Sequence, residues 1–279
     1  MALGVGCGTL APTPDPPQTV PPSTTAPPRV TDTTAGPLCA TGDLAFSDEG
    51  VIATVGGDGA DAAAVNELRF DTELRCDRLV IGFATSNGSP ASALGPTVIE
   101  LLPSLGILRV SLPDGVATTS VSEATVDGSV IAQAVVVRML DGTLAIDLHL
   151  DATQGVAARS FLVGSPPRLV MDVRAGDDGP QVSRPSGDAD TVVLTPRGGV
   201  ADYPLVVNGY TRAAAVTVGL SGGTMVTAVR AAEVADEGTP WAEFEATIPN
   251  GLSGTVDLVV DTASADGDTS RITVLLDLP

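Results

Sequence analysis

The chain has no lysine, one histidine, three cysteines and only 3% aromatic residues among its 279 positions. All 14 basic residues are therefore arginine. They face 34 acidic residues, for a formal net charge of −20. A chain this acidic, without a basic stripe, repels phosphate backbones and anionic membrane surfaces, which excludes nucleic-acid binding as its role. A single histidine, with no H-E-x-x-H motif and no paired-acid arrangement, argues against a hydrolase. No uninterrupted apolar run reaches the ~18 residues that a membrane-spanning helix requires. With so few aromatics, any core must be built from Val, Leu, Ile and Ala.

Hydrophobic residues nevertheless make up 43% of the chain. Valine recurs in short alternating runs, which favours strands over helices and predicts an all-β fold. The length favours about two domains. In the first, residues 38–175, candidate strands are Val65–Phe70, Arg78–Ala84, Thr97–Leu101, Ile107–Leu112, Ala134–Leu140, Leu144–Leu150 and Arg168–Val173. Val135, Val137 and Met139 form one apolar face, as do Leu144, Ile146, Leu148 and Leu150. Asp141-Gly142 between those two runs signals a hairpin. Ala60–Val65 is the only stretch with helical character. Residues 176–190 are polar, rich in turn-formers and read as a linker. Residues 191–279 hold about seven short strands with regular turns, the pattern of an immunoglobulin-like sandwich.

The N-terminal 1–37 region differs in kind. M-A-L-G-V-G-C-G-T-L resembles the lipobox of bacterial lipoproteins, which implies Cys7 as the lipidated residue. Six residues precede Cys7, fewer than the ~7–15 apolar residues of a signal, so a start upstream of Met1 is expected. The alternative is a free cysteine in a disordered tail. Thr9–Pro37 is Pro/Thr-rich and reads as a disordered, polyproline-like tether able to span roughly 90 Å. In an exported chain Cys39 and Cys76 are expected to form a disulfide, two buried free thiols being the alternative.

C-D-R-L-V-I-G-F, V-I-E-L-L, I-L-R-V-S-L-P and the closing G-S-P-P-R-L-V-M-D-V together resemble the AMIN-like domain of actinobacterial exported proteins, over roughly Glu67 to Val173. Gly82 departs from the family's usual pattern. L-T-P-R-G-G, Y-P-L-V-V-N-G-Y, the Trp241-x-x-Phe244 strand and S-A-D-G-D resemble the Gmad2 immunoglobulin-like domain of sporulation- and germination-associated proteins. The two resemblances imply two β-sandwich interaction modules, AMIN-like then Ig-like, in some relatives positioned on peptidoglycan.

The motifs that could carry chemistry have simpler readings. Gly219-Leu220-Ser221-Gly222-Gly223 matches a nucleophile elbow but lies between two β-runs, so it reads as a hairpin turn. Gly57–Ala62 matches G-x-G-x-x-A without a βαβ unit and reads as a loop. His149 shares a strand face with Asp147 and Asp151. That face reads as solvated, and weak metal binding is the sharper alternative. Arg168 and Asp172 are too far apart along one strand to pair, so each is expected to pair with a neighbouring strand. Arg168, Arg78 and Trp241 are the candidate ligand contacts, with Trp241 weighed chiefly as core. No catalytic residue, metal or cofactor is expected. The reading that results is a non-catalytic lipoprotein on the extracytoplasmic face of the cell membrane, held by a lipid anchor. Its partners are a cell-wall polymer, peptidoglycan above all, or an envelope protein. A calcium-dependent adhesive module and an envelope hydrolase are the alternatives.

Overall fold

The alternating runs do form strands, and their alternation sets which face each side chain buries. The computed structural model describes residues 39, 44–176, 179–232 and 240–279; Cys7 and the tether at 9–37 lie outside them. The fold is all-β. Among the described residues there is no α-helix, and the only helical turn is a single 3₁₀ turn at Pro103–Leu105. The stretch at 60–65, expected to have helical character, is extended and runs into the Ala64–Glu73 strand. Leu144–Leu150, Ala215–Leu220 and Trp241–Ile248 match the expected strands, while Ala152–Val163 and Gly50–Val55 extend or add to them.

Three sheets are present among the described residues. One of eleven strands runs through the whole unit in the order Gly50–Val55, Thr97–Leu102, Ile107–Ser111, Leu144–Leu150, Ile131–Arg138, Trp241–Ile248, Leu205–Thr211, Thr191–Thr195 and Ser186–Gly187, with Glu123–Thr125 and Val229–Arg230 alongside. A six-stranded sheet centred on Cys76–Ala84 and Arg168–Gly176 covers its first half. A five-stranded sheet centred on Gly254–Ala263 covers its second half. Leu79, Ile81, Phe83, Leu169 and Met171 pack against Ile99, Leu108 and Ile146 to form the first core. Val207, Phe244 and Ala246 pack against Val218, Leu258, Val260 and Val274 to form the second. Residues 176–190, read as a linker, carry two short strands: Gln181–Val182 joins the six-stranded sheet and Ser186–Gly187 the shared one. Val182 is part of the first core.

The Cys76–Ala84 strand is buried along its whole length, and its second face explains one candidate ligand contact, Arg78. Register sets Asp172 directly opposite Arg78 on one side and Arg159 on the other. Arg78 donates to Asp172 through Nε at 2.5 Å and Nη2 at 2.9 Å, and Arg159 through Nε at 3.0 Å and Nη2 at 2.8 Å. Phe46 roofs the cluster, its ring centre 4.7 Å from the Arg159 guanidinium carbon and 4.2 Å from that of Arg174. Two forked cations on one fully buried carboxylate satisfy its lone pairs and leave it inaccessible to a ligand. Asp77, on the core-facing side, accepts backbone N–H bonds from Ser129, Val130 and Ile131.

Cys39 and Cys76 form the disulfide expected from the sequence, with Cα atoms 6.1 Å apart across a separation of 37 residues. Replacing both by alanine removes a closed loop whose chain entropy corresponds to roughly 4 kcal/mol, measurable by urea unfolding; a loss below ~1 kcal/mol would contradict that role. Asp172→Asn removes the buried charge that the Arg78 and Arg159 guanidinium groups share and is expected to cost about 3–5 kcal/mol in the same measurement. Near-native stability would show that the triad contributes little.

Candidate functional site

Along Leu144–Leu150, Leu144, Ile146, Leu148 and Leu150 face the first core, which turns Ala145, Asp147 and His149 to the opposite side. The sequence reads that side as solvated. The structure corrects this: Asp147 is 0% and His149 1% exposed. The cause is a long-range pairing. Trp241–Ile248 joins Ile131–Arg138 in parallel, setting Trp241 opposite Val137 and Ala242 opposite Arg138. The second half of the shared sheet is thereby brought back over the first. Val192, Leu194, Tyr210 and Trp241 then pack on Ile107, Val135 and Val137 as a third core. Ile131–Arg138 is thus buried on both faces, with Ala134 and Val136 in the first core and Val135 and Val137 in the third. The face formed by Val135, Val137 and Met139 is apolar because of this junction, not because of the first sandwich.

Several polar groups caught in the junction are paired, whereas the buried Trp241 Nε1 has no partner among the described residues. Arg109 donates to Asp147 in a fork, Nε to Oδ1 at 2.8 Å and Nη2 to Oδ2 at 2.7 Å. Burial opposes the Arg109 charge, but the bond to Asp147 and its negative charge hold the guanidinium pKa above its ordinary value. Glu243 Oε2 accepts the Leu140 N–H at 2.8 Å, and burial raises its carboxyl pKa. Tyr210 Oη and His149 Nε2 share a short hydrogen bond. The Tyr210 ring meets Trp241 edge-on, 5.8 Å between centres. Burial pushes the Tyr210 phenol well above 10 and the His149 imidazole down to about 4, with Arg184 and Arg197 adding to the latter and Asp147 opposing it.

A second fastening comes from Arg197, which follows the Thr191–Thr195 strand. Its guanidinium donates to the carbonyls of Leu105 and Ser183, to Ser183 Oγ at 2.8 Å and to the Arg184 carbonyl at 2.9 Å. One side chain therefore ties its own segment to two others, at Leu105 and at Ser183-Arg184. Gly106, at φ +65°, closes the Pro103–Leu105 turn where a Cβ would collide with the Ser183 carbonyl.

Between these fastenings a polar cleft of about 530 Å³ opens, lined by Glu123, Gln133, His149, Arg184, Asp188 and Val192. Gln133 and His149 are direct cross-strand neighbours, so two adjacent strands supply its floor. The segment at 184–189, expected as linker, supplies the opposite wall.

None of the expected ligand contacts lies in this cleft. Trp241 is fully buried in the third core, with the Arg212 guanidinium 4.9 Å from its ring centre, so it has no surface on which to stack a ligand. Arg78 is locked to Asp172. Arg168 is partly exposed on the six-stranded sheet, 3.9 Å from Glu67. As expected, Asp172 has its partners on the two neighbouring strands, whereas the Glu67 near Arg168 lies on the strand beyond the Cys76–Ala84 neighbour. Among the described residues no group of three or more His, Cys, Asp or Glu side chains could hold a metal ion. Gly219–Gly223 is a hairpin turn, closed by the Gly223 N–H to the Leu220 carbonyl. In the G-x-G-x-x-A loop Asp61 accepts from Ser92 N, Ser92 Oγ and Ala93 N, each at 2.8 Å.

Comparison of the chain with family models, with characterised proteins and with solved structures finds no match. The residues that build the cleft and its supports (Gln133, Arg184, Arg197 and Tyr210) carry no local sequence signal, because they meet only through the long-range pairing of Trp241–Ile248.

The buried imidazole makes stability depend on pH in a defined direction. Its folded pKa of about 4 lies below the unfolded value of 6.5. Above pH 6.5 both states are neutral there and the full stability is present. As pH falls toward 4 only the unfolded chain takes up the proton, and about 3 kcal/mol is lost across that window. Because the chain has one histidine, a proton NMR titration reads it without ambiguity. A midpoint near 4 is expected, and a midpoint of 6 or higher would contradict burial of the ring.

Proposed function

We propose that the chain is a non-catalytic cell-envelope lipoprotein whose two β modules bind cell-wall material, peptidoglycan above all, or an envelope protein partner. The observation that carries this reading is how the chain uses its reactive side chains. Its single histidine is buried, neutral and bonded to Tyr210. Asp147 and Asp172 are closed by arginine forks, leaving no acid–base pair poised at the open cleft among the described residues. What the folded unit offers instead is a firm two-sandwich body with a polar cleft at its junction, a design suited to holding rather than converting a ligand.

The disulfide supports an exported setting, where such bonds persist. The resemblances to AMIN-like and Gmad2 domains point the same way, toward envelope interaction modules with a role in sporulation or germination. Cys7, followed by the Pro/Thr-rich tract, is the proposed lipid anchor, and the tract the spacer that lets the body reach into the wall.

Expressed with its complete upstream signal, the protein is expected to partition with membranes, and Cys7→Ser to release it to the soluble fraction. The folded unit is expected to co-sediment with purified peptidoglycan. A wild-type protein that is fully soluble and stays in the supernatant of the wall pellet would overturn the proposal.

A further inference from the structure

The junction cleft contains donors without acceptors. Tyr210, whose phenol stays protonated, has one acceptor within reach among the described residues, His149 Nε2. The O–H therefore donates to Nε2, and the neutral ring must carry its own proton on Nδ1. No described residue accepts from Nδ1, although the histidine is 1% exposed and lines the cleft. Across from it the exposed Arg184 makes one hydrogen bond among the described residues, from Nη2 to Gln133 Oε1 at 3.3 Å. Arg184 and His149 both line the cleft, and the Arg184 charge acts on the imidazole.

The acceptors in the cleft are already engaged. Glu123 Oε2 takes Arg212 Nη2 at 3.1 Å and Gln133 Nε2 at 3.3 Å. Asp188 Oδ1 takes the backbone N–H groups of Asp190 at 2.9 Å and Thr191 at 2.8 Å, and its Oδ2 takes the Ser270 hydroxyl. Both carboxylates are thus held by donors of the chain itself. In a chain of net charge −20, Arg184 lines the cleft beside the bonded carboxylates Glu123 and Asp188, with Arg212 paired to Glu123.

We infer that the junction cleft is a binding site for a carboxylate, held between the His149 Nδ1–H and the Arg184 guanidinium. A carboxylate has two acceptor oxygens and a charge, which match an imidazole N–H and a fork of guanidinium donors. The same chemistry is offered by the free end of a peptide and by a sugar acid. A neutral sugar, which offers hydroxyls without charge, fits the pair less well. The inference rests on reading the chain as a binding protein, and it names the ligand class at one site.

The test uses the single imidazole as reporter. Long-range ¹H–¹⁵N NMR spectra of the full chain would be recorded at pH 7 during titration with N-acetylalanine, N-acetylalaninamide, glucuronate and glucose. Saturable shifts of the His149 nitrogens are expected with N-acetylalanine, with glucuronate or with both, and the responding acid identifies the source as peptide end or sugar acid. The amide and glucose should bind about tenfold more weakly or not at all. Arg184→Gln should weaken acid binding about tenfold or more, while its free spectrum and Trp241 fluorescence stay native, showing that the junction is intact. The inference fails if no acid shifts the imidazole, if amide or glucose binds as well as the acids, or if Arg184→Gln binds unchanged. Sedimentation with peptidoglycan is scored separately. Wall binding without an NMR response sinks this inference alone, and an NMR response without wall binding sinks the wall-binding role alone.

Discussion

Everything distinctive in this structure depends on one parallel strand pairing. Where Trp241–Ile248 lies along Ile131–Arg138, the sheets of two sandwiches become one sheet of eleven strands among the described residues. The consequence is geometric. A sheet shared by two sandwiches and brought back on itself has stretches buried on both faces, and such strands have no polar side to give to water. Ile131–Arg138 solves this with valines on both sides. Leu144–Leu150 solves it with leucine and isoleucine on one side and paired polar groups on the other.

Composition explains how the polar groups are tolerated. With only 3% aromatics, the chain cannot fill its junctions with large rings, and its few are concentrated: Tyr210 and Trp241 stand together in the third core. With no lysine, every buried cation is an arginine, whose flat fork can satisfy a carboxylate with two bonds. Arg109 on Asp147, and Arg78 with Arg159 on Asp172, repeat that solution on the two faces that carry charge into the interior. Unpaired, either carboxylate would cost several kcal/mol to bury. Arg197 turns its guanidinium on main-chain carbonyls, fastening its own segment to Leu105 and to Ser183-Arg184.

Much of the fold was legible in the sequence, and for a clear reason. Period-two alternation is local, so the all-β class, the Leu144–Leu150 and Trp241–Ile248 strands and the Gly219–Gly223 turn follow from neighbouring residues alone. The Cys39–Cys76 bond is expected on reading the chain as exported, and it forms. The site did not follow. Alternation says that Asp147 and His149 share a face but not what covers it, and a covered polar face looks like a solvated one until its partner strand is placed. Trp241 illustrates the converse. As the chain's one tryptophan it reads chiefly as core and only secondarily as a ligand contact, and the burial that bears out the first reading comes from a strand more than a hundred residues away in sequence. Arg184, in a segment whose composition reads as linker, gave no hint that it walls a cleft.

Whether the shared sheet makes the two sandwiches one cooperative body is the point on which the rest stands. Urea unfolding followed in parallel by Trp241 fluorescence, which reports the junction, and by far-ultraviolet circular dichroism, which reports all the strands, decides it. Coincident curves with a single midpoint are the expected result. Exposure of Trp241 in an earlier step, with most strand signal retained, would show two independent sandwiches merely touching and would contradict the role given to the pairing of Trp241–Ile248 with Ile131–Arg138.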